Sequence, residues 1–142
     1  MTKIDFHVNA PTKLAYACRL ARKGYGSGHQ MVFYAGDAAL AEFDRLLWTF
    51  SATDFIPHCK ASDPLATTTP IVLAGPADAD ACVHHDLLVN LDREQPVFFS
   101  RFERMIEVVA DEDADLDAGR RRWKFYKDRG YLLSRHDLAA AP

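Results

Sequence analysis

"KIDFHVNAPTKLAYACRLARKGYGSGHQMVFYA" (residues 3–35) runs through three hydrophobic patterns in turn, and their order decides the fold. Ile4, Phe6 and Val8 alternate with polar residues, as on a strand covered on one face. Pro11 opens a second segment in which Leu14, Ala17, Cys18 and Ala21 fall at helical spacing. Past the glycines of "GYGSG" (24–28), "QMVFYA" (30–35) is almost continuously apolar, as in a strand buried on both faces. A strand, a helix and a buried strand in that order make a parallel βαβ unit.

The same alternation continues outward. Asp37 caps a second helix, "DAALAEFDRLLWTF" (37–50), whose Leu40, Phe43, Leu47 and Phe50 recur every three or four residues. A stretch rich in Pro, Ser and Thr (51–70) precedes two apolar runs, "PIVLAG" (70–75) and "DLLVNL" (86–91). A short aromatic helix around 95–102 leads to the strand "RMIEVVA" (104–110), and "DEDADLD" (111–117) starts a final helix that runs to Gly130. The chain reads as one α/β domain, 1–142, with residues from about 134 as a loosely ordered tail. Its expected architecture is a three-layer α/β/α sandwich with a mostly parallel sheet, like a nucleotide-binding fold. There is no internal repeat, low-complexity tract or linker.

Composition narrows the function. The 142 residues are 49% hydrophobic and 26% charged, an ordinary globular balance able to bury a sizeable core. The net charge of −3 argues against a dedicated nucleic-acid binder, whose affinity comes from neutralising phosphates. No apolar run is long enough to span a bilayer, so no membrane association is expected and the cytoplasm is the expected location. Three dispersed cysteines, Cys18, Cys59 and Cys82, do not form a disulfide framework.

Signs of catalysis or cofactor binding are weak. "GYGSG" follows a helix and precedes a strand, whereas phosphate loops follow a strand and open a helix. The fold is therefore expected to lack its phosphate loop and to take no cofactor. His58-Cys59 and Cys82, His84 and His85 lack the spacing that closes a zinc site. No nucleophile elbow or strand-end carboxylate pair is present.

Two aromatic elements are more telling. In "LLWTFSATDFIPHC" (46–59), Trp48 ends a helix and Phe55 stands in a loop that Ile56-Pro57 keeps extended. These rings either plug the end of the sheet or form an exposed anchor for a protein partner. In "GRRRWKFYKDRGY" (119–131), a helical wheel puts Arg120, Lys124, Lys127 and Tyr131 within roughly 60° of one another, with Trp123 on the flank. Ala114, Ala118 and Phe125 fall on the side expected to face the core. A positive stripe beside rings suits a phosphate backbone or an acidic peptide equally.

Several segments together are similar to the chi subunit family of bacterial DNA polymerase III holoenzyme. They are "ACRLARKGYGSGHQMVFYAGD", the element from Phe43-Asp44 through Leu47-Trp48 to Phe55-Ile56-Pro57-His58, "PIVLAG", "DLLVNL" and "RWKFYKDRGY". The resemblance covers nearly the whole chain. It implies a subunit without a catalytic site of its own in a DNA-directed DNA polymerase complex. Such a subunit links the clamp loader, through psi, to the acidic C-terminal tail of single-stranded-DNA-binding protein, and meets nucleic acid only indirectly. By the resemblance, tail binding falls on Arg120, Trp123, Lys124, Lys127, Gly130 and Tyr131. Psi, or a replacement partner, falls on Trp48, Phe55 and Pro57, a surface for which an accessory helicase can compete. Trp123 stands where relatives commonly carry Tyr, and "SRHDLAAAP" does not resemble their last residues. The competing readings are a direct single-stranded nucleic-acid binder and an enzyme of nucleotide-fold type.

Overall fold

The structure is a computed structural model that describes residues 1–50, 55–78 and 81–139. Its elements, in chain order, are β1 (Lys3–Ala10), α1 (Lys13–Gly26), β2 (Met31–Tyr34), α2 (Asp37–Thr49), β3 (His58–Lys60), β4 (Ile71–Ala74), β5 (Leu87–Asn90), β6 (Arg104–Ala110), α3 (Asp113–Asp128) and β7 (Leu133–Asp137). Short 3-10 turns lie at Ala66–Thr68, Pro76–Asp78 and Phe99–Arg101, the last where a short aromatic helix was expected. The strands form one seven-stranded sheet in the order β3-β4-β2-β5-β6-β1-β7. Every pairing is parallel. This is the expected three-layer α/β/α sandwich.

The two faces have separate cores. Ala17, Cys18 and Ala21 of α1 and Phe43 and Leu47 of α2 cover Phe33, Leu73, Val89 and Val108 on one face. On the other, Tyr126 of α3 joins Ile4, Phe6, Val32, Leu88, Met105 and Phe99. β2, β4 and β5 are buried at every residue, which is why they read as unbroken apolar runs. In β1 Ile4, Phe6 and Val8 face α3, while Asp5 and His7 point to the α1 side, as does Ala10 beyond a register shift.

Some expectations shift. Asp37 is the first residue of α2 rather than its cap, a position held by Gly36. Gly24 and Gly26 belong to the end of α1, and Gly28 follows its C-cap at φ +79°. A Cβ on Gly24 would meet Met31 Sδ at 2.2 Å, so the missing side chain is what lets the helix lie against β2. Residues 134–137, expected in a loose tail, belong to β7, which pairs with β1 from Ile4↔Leu133 to Val8↔Asp137.

On the α1 side a groove of about 400 Å³ opens beside β1 and β7, lined by His7, Tyr16, Lys23, Arg104 and His136 among others. His7 bonds the Tyr16 hydroxyl through Nδ1. Burial, then His136, Arg104 and Lys23, hold its pKa down at about 4, against the pull of Asp5. The unfolded chain therefore takes up a proton near pH 6.5 that the folded chain refuses until about pH 4. Stability is expected to be full above pH 6.5 and to fall by about 1–3 kcal/mol as pH drops toward 4, after discounting for partial exposure. Urea unfolding at pH 7 and 4.5 should show this loss in the wild type and a smaller one in His7→Gln. An equal loss in both would refute the assignment.

Candidate protein-binding surfaces

α3 spreads its basic residues over more than one face. Arg120, Lys124 and Lys127 are exposed on one side, as the helical wheel predicts. Arg122, in the middle of the basic run, turns inward and is 2% exposed. Its Nε donates to Glu107 Oε1 at 3.0 Å and its Nη1 to the Arg93 carbonyl at 2.7 Å. Glu107, fully buried on β6, also accepts from Asn90 Nδ2 and from the Tyr126 hydroxyl. Burial pushes the Glu107 carboxyl up, and the charge of Arg122 with these three donors opposes it. Such a network fixes the rotation of α3 on the sheet. The positive stripe and Trp123 are therefore presented at a set angle. The core face consists of Asp115, Ala118, Gly119, Arg122 and Tyr126, while Ala114 is exposed, contrary to expectation, and Phe125 is half-buried.

Beside the stripe is a cleft of about 300 Å³ between α3 and the β1–β7 edge. Phe6 and Val8 of β1, Val109 of β6, and Leu116 and Gly119 of α3 give it an apolar lining. Trp123 forms one wall, edge-on to Phe6 at 5.1 Å between centroids. Arg120 and Arg135 also line it, from α3 and β7 respectively. An apolar side chain attached to an anionic group would find both of its requirements here. Arg120 bonds Asp117 at 2.8 Å and Lys124 bonds Asp128 at 2.8 Å. Exposed intrahelical pairs contribute under about 0.5 kcal/mol, so an incoming carboxylate displaces them cheaply.

The remaining residues expected in this site behave differently. Gly130, at φ +81°, terminates α3 in the left-handed conformation, and its N–H bonds the Lys127 carbonyl. Tyr131 lies beyond the helix and does not continue the stripe. Its ring stands 5.3 Å from Phe99 and 6.2 Å from Tyr126, within the α3-side aromatic cluster. Lys124, Lys127, Gly130 and Tyr131 are not among the residues lining the cleft. Arg135, which is, carries no signal in the sequence, because only the pairing of β7 with β1 brings it under α3.

A second surface lies on the opposite side of the sheet. Trp48 at the end of α2 is 57% exposed and Phe55 is 62% exposed, with ring centroids 5.5 Å apart. Ile56 is buried and Pro57 half-buried, while Phe50 rests against the α1–α2 core. Of the stretch 46–59, residues 51–54 lie outside the described residues. His58 supports the pair from below, 4.8 Å from the Trp48 ring. Its Nδ1 donates to the Ile56 carbonyl at 2.7 Å. Its Nε2 lies 3.1 Å from Asp44 Oδ1, close enough for charge pairing but not aligned as a hydrogen bond.

Sheets of this kind hold ligands where strands end and helices diverge. Here that crevice is bridged by Asp115, 2% exposed, which accepts from Ala110 N–H at 2.6 Å, Lys13 Nζ at 2.8 Å and Arg93 Nε at 3.1 Å. Burial pushes its carboxyl up, but Lys13, the Ala110 amide and Arg93 more than offset this and hold it below the usual carboxylate range. A phosphate there would meet a carboxylate. Among the described residues no three His, Cys, Asp or Glu side chains are placed to hold a metal, and His84 Nε2 is 2.7 Å from the Thr69 carbonyl. No helix among them is long and apolar enough to cross a membrane.

Comparison with known proteins matches residues 1–134 to the family described as DNA polymerase III chi subunit, HolC. The chain is 36% identical to the DNA polymerase III subunit chi of Pseudomonas aeruginosa over 143 residues, covering 97% of this chain and 98% of the relative. It is 30% identical to that of Haemophilus influenzae, covering 86% and 85%, and 26% identical to that of Escherichia coli, covering 82% and 80%. With the match running through every element from β1 to the start of β7, the chain belongs to the DNA polymerase III chi subunit family, and its setting is DNA replication.

Proposed function

We propose that this chain is a non-catalytic connector within the polymerase III complex, working in the cytoplasm. Its α3 cleft holds the acidic C-terminal tail of single-stranded-DNA-binding protein, and its Trp48–Phe55 pair holds psi or a protein in psi's place. The observation that carries the reading is the cleft itself, apolar within and lined by the cations Arg120 and Arg135, with Lys124 exposed one turn along α3 from Arg120. The tail's terminal ring enters between Trp123 and Leu116, on the Gly119 side of Trp123 rather than toward Gly130. Its carboxylates meet Arg120 and Lys124. The net charge of −3 favours this ligand over direct capture of a nucleic-acid backbone.

Titration calorimetry with a short acidic peptide ending in Phe tests this. Affinity should decrease with salt, though less steeply than for a protein neutralising many phosphates. Lys124→Glu should abolish binding without unfolding the chain, since the position is exposed and Glu is a good helix former. Amidating the peptide's C-terminus should weaken binding. An affinity unchanged by both, or a stronger affinity for a single-stranded oligonucleotide, would overturn the proposal.

A further inference from the structure

Among the described residues β7 is the last strand of the sheet, with β1 on one side and no strand on the other. Its register against β1 is flanked by Ile4 N–H to the Leu132 carbonyl at 3.1 Å and Leu138 N–H to the Val8 carbonyl at 3.0 Å. In a parallel ladder a strand turns the N–H and C=O of alternate residues toward the same neighbour. Leu132, Ser134, His136 and Leu138 thus face β1. The main-chain groups of Leu133 and Arg135 face outward from the sheet.

An edge of this kind is a template for another strand unless it is covered, bulged, interrupted by Pro or charged against its visitor. β7 is unbulged against β1 and has no Pro; it carries the cation Arg135, which lines the cleft, and the acid Asp137, 3.5 Å from it. Arg135 is the more exposed of the two, 56% against 27%, and with Arg120 it makes the cleft end of the edge attractive to an acidic segment. An acidic peptide is kept extended by its own repulsion, so it reaches the edge with no helix to unwind. Side chains alternate along a strand, so every second one added here would point to the α3 face, where Arg120 and the cleft lie.

We infer that the acidic tail docks by strand addition, its main chain extending the sheet beyond β7 through Leu133 and Arg135 while its terminal side chain fills the cleft. This rests on the tail-binding reading above and adds the mode of recognition. Affinity then comes partly from the peptide's own amides, and specificity from the cleft and the cations.

The test uses the full chain and the same acidic peptide ending in Phe. Arg135→Pro removes an outward N–H while leaving the pairing with β1 intact, and edge strands tolerate Pro at such positions. It is compared with Arg135→Gln, which removes the charge alone. Arg135→Pro should bind more weakly than Arg135→Gln by roughly three- to tenfold, the worth of one hydrogen bond. N-methylation along the peptide should weaken binding at every second residue. This second arm holds even if the Pro variant fails to fold. If wild-type binding persists but ignores both Arg135→Pro and N-methylation, strand addition is wrong and the tail reading stands. Failure of the wild type to bind the peptide overturns both.

Discussion

Arg122→Ala is expected to destabilise the domain by about 3–5 kcal/mol, a large share of the stability of a small protein. The substitution would strip Glu107, fully buried and already pushed up by desolvation, of its counter-charge, leaving its carboxyl only Asn90 and Tyr126 as partners. It would also leave the Arg93 carbonyl without the donor it now has at 2.7 Å. Replacing both partners, Glu107→Leu with Arg122→Leu, should recover most of the loss, because the desolvated charge disappears with its counterpart. Urea unfolding of the two variants measures this. A cost below about 1 kcal/mol for Arg122→Ala would mean that the pair does not hold α3 in place.

Trp48→Ala should have the opposite character, with little effect on the fold and a large one on binding. The ring is 57% exposed and stands against Phe55, itself 62% exposed, so its removal opens no core cavity. Exposed aromatic anchors typically account for 2 kcal/mol or more of interface energy, which is about a thirtyfold loss in affinity. On the proposed reading, the partner of this surface, psi or a protein in its place, titrated against wild type and variant, should show that loss, with melting curves nearly superimposed. A Trp48→Ala protein that unfolds early yet binds psi normally would make this pair a structural plug.

What the sequence revealed and what it concealed follow from the geometry of the sheet. β2, β4 and β5 are central, buried on both faces, and read directly as apolar runs. The strands that escaped notice are the two edges. β3 is only "HCK", and β7 is "LSRHD", whose polar residues resemble a loose terminus because an edge needs neither a continuous apolar run nor a second partner. With β7 unseen, Arg135 could not be placed beside Trp123.

The stripe of Arg120, Lys124 and Lys127 was legible because an exposed helical face obeys its period. Arg122 was hidden for the same reason, since one more arginine in a basic run looks solvated. The clue lay elsewhere, in Glu107. A single acid inside the strand "RMIEVVA" must be buried, and a buried carboxylate needs a cation. Gly130 and Tyr131 fit the motif of the family, but one ends a helix and the other completes an aromatic cluster.

The claim at the centre of this account is that the cleft under α3 receives the terminal ring of an acidic tail. Methyl and indole NMR spectra, recorded while an acidic peptide ending in Phe is added, test it most directly. The account predicts shifts at Val8, Val109, Leu116 and the Trp123 indole, with the Trp48 indole unmoved. Shifts confined to Trp48 and its neighbours, or none around Trp123 at saturating peptide, would contradict it.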